Sequence, residues 1–206
     1  MQKTILPPYA IHPQFLPAQD AAGLLDHVLS IEGEFKPSMV GDHNVDLSRR
    51  FSFDTKNLGA FKPLIESQAF TRVPSFAAEL GLPKVDDPKL ELRLVAYGEG
   101  SFQKAHIDTA LRGGQSPAAA SRRISAIYYF HSLPKAFSGG ELRLYPFFER
   151  GPGAEFIEIE PVHNQLVVFP AWVLHEVRPV HVPSGRFKDW RFAINCWIHQ
   201  TPPASA

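Results

Sequence analysis

From residue 90 onward the chain breaks into short runs that suit extended backbone. LELRLVAY (90–97) alternates apolar and polar residues, and RISAIYYF (123–130) is crowded with β-branched and aromatic side chains. GGELRLY (139–145) alternates after a Gly-Gly turn, and EFIEIEP (155–161), NQLVVFP (164–170) and RFAINCWIH (191–199) follow. So many strand-length runs separated by turn residues predict a sandwich or a closed jelly roll. The 19 prolines and 16 phenylalanines in 206 residues fit a loop-rich β protein better than a helical bundle.

The first 88 residues differ in texture. PAQDAAGLLDHVLSI (17–31) places apolar residues at 21, 24, 25, 28, 29 and 31, which is helical spacing with a proline near the start. FKPLIESQAF (61–70) and VPSFAAELGL (73–82) predict further helix with Gly81 as a stop, and GDHNVDLSRRFSF (41–53) reads as a loop with a short strand. The expected architecture is mainly β with packed helices. A single domain spans 1–206, with a mixed helical support region (1–88), a β-core (89–199) and a tail (200–206).

Charge and cysteine content exclude several classes of function. Twenty-one basic and 21 acidic residues leave no net charge, and the longest basic runs are the pairs Arg49-Arg50 and Arg122-Arg123. No nucleic-acid or membrane partner is expected from such a balance. The single cysteine, Cys196, excludes an internal disulfide framework and a cysteine zinc site. It is expected to lie inert on the apolar side of the last strand. No 18-residue apolar run occurs, so the expectation is a soluble, cytoplasmic protein.

The stretch FQKAHIDTAL (102–111) sets His106 and Asp108 two apart, on one side of a strand. Such a pair alone is a weak signal, and a third ligand must come from elsewhere. His131, His163, His175, His181 and His199 lie downstream, and His175 follows the apolar run QLVVFPAWVL, where a strand enters the interior. Two histidines and a carboxylate make the facial triad that selects non-haem Fe(II) and leaves coordination positions open. An open iron site needs a reductant, and a chelating 2-oxo acid needs a cation for its far carboxylate. Arg191 opens the last strand, in phase with Ala193, Asn195 and Trp197, as the wall of a polar cavity would be. The other histidines, among them His12, His27 and His43, are expected to be surface or structural.

These segments, in order along residues 90–199, resemble the prolyl-hydroxylase-like branch of the Fe(II)/2-oxoglutarate oxygenases. The resemblance rests on VAYGEGSFQKAHID, RRISAIYYFHSLPKAFSGGELRLY, IEPVHNQLVVFP, HEVRPV and RFAINCWI. It implies a double-stranded β-helix, a cupin-like jelly roll. It also implies Fe(II), 2-oxoglutarate and O2, with His106, Asp108 and His175 as iron ligands and Arg191 holding the cosubstrate's far carboxylate. Tyr129 would bond the same carboxylate, Tyr97 would line its pocket, and Asn195 would face the metal-bound water. Arg123 matches a substrate-side position. The spacing from His175 to Arg191 (191 − 175, sixteen) exceeds the family's usual interval, which leaves Arg186, eleven on, as the rival. An acid at 108 stands where halogenating relatives leave room for chloride, which favours hydroxylation. The implied substrates are a peptidyl proline or, alternatively, a free amino acid or small metabolite. GDHNVDLSRRFSF and TALRGGQSPAAASRR (109–123) would form the substrate walls. A non-catalytic cupin-like binding protein is the reading of another class.

Overall fold

A computed structural model of the chain describes residues 5–39, 45–109, 119, 121–146 and 155–200. Two antiparallel sheets carry the architecture. The larger has seven strands, in the order β1 (Ala10–Pro13), β11 (Gln165–Pro170), β7 (Arg122–Phe130), β14 (Arg191–Gln200), β5 (Pro88–Tyr97), β4 (Phe53–Thr55) and β2 (Lys36–Pro37). The smaller has five, in the order β10 (Ile157–Ile159), β9 (Leu142–Leu144), β12 (His175–Val177), β6 (Phe102–His106) and β3 (Arg50–Phe51). A short ribbon pairs β8 (Ser138–Gly139) with β13 (Val180–His181). The result is a jelly roll with helices, as expected.

Strand parity divides the side chains between two cores. On β7, Ile124, Ala126, Tyr128 and Phe130 face one way, and on β14 Phe192, Ile194, Cys196 and Ile198 do the same. That face is covered by α1 (Ala18–Ser30), α2 (Phe61–Phe70) and α3 (Val73–Glu79), through Ala21, Leu24, Val28, Ile65, Val73 and Phe76. Each such side chain, fully buried, contributes about 1.5–3 kcal/mol for Val, Leu, Ile or Phe. The opposite face of the same strands, Ile127, Tyr129 and Ala193, packs inside the roll on Leu142, Leu144 and Ile159 of the smaller sheet. Polar side chains in this second phase, Arg191 and Asn195 among them, therefore point into the roll.

The first helix matches its periodicity, and the expected 61–82 helix is broken at Thr71–Arg72 into two. The N-terminal part does more than supply helices, because β1, β2, β3 and β4 extend both sheets. β1 runs antiparallel to β11 although AIHP contains a proline and carries no strand pattern, which an edge position tolerates. Buried Cys196 lies among the helix-facing side chains, and burial pushes its thiol up to about 12. No described helix is long and apolar enough to cross a membrane.

Candidate metal and cosubstrate site

β6 and β12 lie side by side with His106 opposite His175, so register alone unites residues 69 apart in sequence (175 − 106). Asp108 follows the end of β6. Its amide donates to Ala171 O (3.0 Å), and its own carbonyl accepts from Arg122 Nη1 (3.2 Å). The three residues are the one cluster of this kind among the described residues, with ligand atoms all within 4.8 Å of one another. Asp108 Oδ1 stands 3.5 Å from His106 Nε2, and Oδ2 stands 3.6 Å from His175 Nε2. Atoms bound about 2 Å from a common ion have separations of about 3–4 Å.

The backbone fixes the chemistry of both imidazoles. His106 Nδ1 lies 2.9 Å from Lys104 O, and His175 Nδ1 lies 2.9 Å from Val173 O. A carbonyl only accepts, so each Nδ1 carries the proton and each Nε2 presents its lone pair. Burial, with His106 close by, pushes His175 down to about 4 against the pull of Asp108, so it is neutral at neutral pH. Burial opposes ionisation of Asp108. His175, His106 and the Ser125 Oγ–H donated at 2.6 Å outweigh it and hold that carboxyl well below the usual range. Two imidazole nitrogens and one carboxylate are a fitting donor set for a divalent iron ion.

Gln103 is a neighbour that sequence reasoning missed. Its amide donates to His106 Nε2 at 2.9 Å. Three residues apart on a regular strand would face opposite ways, but the register between β6 and β12 shifts by one, a bulge that re-aims the side chain.

Arg191 lies in the same cavity as the triad, with Tyr97, Asn195 and Trp197. It is 1% exposed, and among the described residues its Nε, Nη1 and Nη2 have no hydrogen-bond partner. The guanidinium is 4.6 Å from the Tyr97 ring centroid and 4.8 Å from that of Tyr129. Tyr129 Oη is likewise buried and unpartnered among the described residues, and burial pushes its hydroxyl up to about 12 against the pull of Arg191. Unpaired, buried donors of this kind require an anion. A carboxylate fits the planar fork, with Tyr129 as a further donor. Arg186, the rival, is 65% exposed on its side chain and paired to Asp189 at 2.9 Å. Asp189 also binds Ser184 and Lys188, which closes the inserted loop on itself.

One expectation shifts. Arg123 is exposed and donates to Gln200 Oε1 at 3.2 Å, because the pairing of β7 with β14 slips by one residue there and turns it away from the cleft. Its neighbour Arg122 lines the cleft, pairs with Glu91 at 2.7 Å and stacks 4.2 Å from Trp197. His131 is buried against Phe137 and is not among the residues that line the triad's cavity. His43 and most of TALRGGQSPAAASRR lie outside the described residues.

The profile of the 2OG-Fe(II) oxygenase superfamily matches residues 92–199, just over half of the chain. An uncharacterised PKHD-type hydroxylase of Synechocystis is 33% identical over 150 residues, which are 71% of this chain and 48% of that protein. The chain therefore spans about half the length of this curated relative. The crystal structure of a Pseudomonas putida prolyl-4-hydroxylase superposes with a TM-score of 0.68 at 21% identity, covering 95% of this chain and 94% of that one. A Trichoplax adhaerens prolyl hydroxylase, solved with a peptide fragment of the hypoxia inducible factor oxygen degradation domain, gives 0.71 at 19% identity, covering 94% and 84%. At these identities the two structures share the fold.

Proposed function

The chain belongs to the 2OG-Fe(II) oxygenase superfamily, and on that premise we propose that it is an Fe(II)- and 2-oxoglutarate-dependent hydroxylase acting on a peptidyl proline. His106, Asp108 and His175 hold the iron. Arg191 and Tyr129 grip the far carboxylate of 2-oxoglutarate, beside the ring of Tyr97, and Asn195 faces the metal.

The observation that carries the reading is Arg191. A metal-binding or ligand-storing protein needs a triad but has no use for a fully buried guanidinium in the same cavity whose nitrogens are unpaired among the described residues. When bound, iron and 2-oxoglutarate supply the activation of O2, with oxidative decarboxylation of the cosubstrate and oxygen transfer to an unactivated C–H. The chain's own contribution is positional. Lys104 O and Val173 O hold each imidazole in the tautomer that presents Nε2. Ser125 keeps Asp108 ionised and oriented, and the rings of Tyr97 and Trp197 line the cavity and help keep water from the reacting centre.

The prolyl-hydroxylase-like segments and the cleft beside the triad, lined by residues of β3, β6 and β14, support a peptide as substrate. Succinate release with Fe(II) and 2-oxoglutarate, followed by mass spectrometry of a proline-peptide panel and an amino-acid panel, tests both levels. Gain of one oxygen on a peptidyl proline is expected. Oxygen found only on free amino acids moves the substrate to small metabolites. Iron binding without succinate overturns the enzyme reading.

A further inference from the structure

Arg50 sits on β3, opposite Gln103 of β6, and lines both the inner cavity of the triad and the outer cleft. Its Nε donates to Ser52 Oγ (2.7 Å), which donates to Ser38 Oγ (2.9 Å), and both serines are buried. That relay fixes the guanidinium at the neck between cavity and cleft. Its Nη2 is buried and has no hydrogen-bond partner, and no carboxylate forms an ion pair with Arg50 among the described residues. The other half-buried cations of the cleft are matched, Arg93 by Asp54 (3.3 Å) and Arg122 by Glu91 (2.7 Å).

The loaded centre does not supply the missing charge. The two positive charges of Fe(II), the single negative charge of Asp108, the two of 2-oxoglutarate and the positive charge of Arg191 cancel, since imidazoles that ligate a metal add no charge. Arg50 remains in excess, in a neck where an unpaired guanidinium is costly. Resting on the oxygenase reading, and deepening it, we propose that Arg50 is the receptor for a carboxylate of the substrate. The hydroxylated molecule is therefore an acid, with its carboxylate at Arg50 and its target C–H toward the triad. The carboxylate comes either from an Asp or Glu beside the proline of a peptide or from the α-carboxylate of a free amino acid. Charge-assisted pairing of this kind raises kcat/KM by about ten- to a hundredfold.

The test uses the full chain, wild type and Arg50→Met, with Ser52→Ala as a positioning variant. Probes are acetylated, amidated proline peptides carrying Asp or Glu beside the proline, their Asn and Gln counterparts, and free amino acids beside their methyl esters. Two readouts are independent of substrate. One is the visible absorption of the anaerobic Fe(II)–2-oxoglutarate chelate. The other is the melting temperature of the Mn(II)- and 2-oxoglutarate-loaded protein titrated with acetate against chloride. The wild type is expected to prefer acidic probes by about tenfold or more and to be stabilised by acetate beyond chloride. Arg50→Met is expected to lose both effects while keeping the chelate band and uncoupled succinate release, and Ser52→Ala to lose part of them. Whether peptides or free acids are preferred identifies the source of the carboxylate. Equal use of acidic and neutral probes, or no acetate effect in the wild type, overturns the proposal. Loss of the chelate band in Arg50→Met alone also overturns it, because Arg50 would then serve the cosubstrate. Absence of both band and succinate in the wild type instead removes the oxygenase reading, and the proposal with it.

Discussion

Replacing Arg191 with methionine should separate stability from function. The guanidinium is 1% exposed and, among the described residues, lacks a hydrogen-bond partner at all three nitrogens. Burying a charge without such partners costs several kcal/mol. The faces of Tyr97 and Tyr129, 4.6 and 4.8 Å away, return about 0.5–2 kcal/mol each. Methionine fills much of the same volume and carries no charge, so Arg191→Met should stabilise the cosubstrate-free protein by about 1–3 kcal/mol. For a chain of this size that raises Tm by about 3–10 °C. The same change removes the cation for the far carboxylate and should weaken 2-oxoglutarate by about 3–5 kcal/mol, at least two orders of magnitude. Melting curves without metal or cosubstrate, paired with 2-oxoglutarate titrations of the Fe(II) protein, read both effects. A variant that melts below the wild type when ligand-free, or binds 2-oxoglutarate within tenfold of it, refutes the reasoning.

Three further predictions follow from the same geometry. Ser125→Ala removes the 2.6 Å hydrogen bond to Asp108 Oδ2 and should weaken Fe(II) about 10- to 100-fold, measured by metal titration, with the fold intact by circular dichroism. In Gly140→Ala the new Cβ would stand 2.7 Å from Arg191 Cδ at a φ of +74°, so it should raise the KM for 2-oxoglutarate severalfold and lower Tm. Stability without metal should fall on acidification. The folded state holds His175 near 4, below its ordinary 6.5, so between these values the unfolded chain binds more protons. Denaturant midpoints should be flat above pH 6.5 and decline toward pH 4, by at most about 3 kcal/mol for this group. His175→Gln should flatten that slope, and an unchanged slope would show that His175 is not buried in its neutral form.

Much of this arrangement was legible because β-strands impose a period of two. Arg191, Asn195 and Trp197 share a face with Ala193, and Cys196 shares the other, as alternation alone required. Length and apolar context also separated Arg191 from Arg186, since the latter stands in a Gly-Ser-Pro loop. What stayed hidden depends on which strands pair and in what register. Gln103 reaches His106 only through the bulge against β12, and Arg50 reaches the cavity only because β3 pairs with β6. The placement of Arg122 rather than Arg123 on the cleft turns on the phase of β7, whose inward positions, Ser125, Ile127 and Tyr129, put Arg123 in step with the interior. At the strand's start the register against β14 shifts by one, with Arg123 as the extra residue, and that bulge reverses the step. Strand β1 gave no periodic signal, since four residues with a terminal proline pair only because the edge of β11 is open to them.

The central claim is that one cavity holds iron on His106, Asp108 and His175 and 2-oxoglutarate on Arg191. Anaerobic titration of the Fe(II) protein with 2-oxoglutarate, followed by admission of O2, tests it most directly. The account predicts a saturable visible chelate band, lost in Asp108→Ala and Arg191→Met, that decays on oxygenation as succinate forms in equal amount. A protein that binds one Fe(II) through the triad yet shows neither band nor succinate would contradict it.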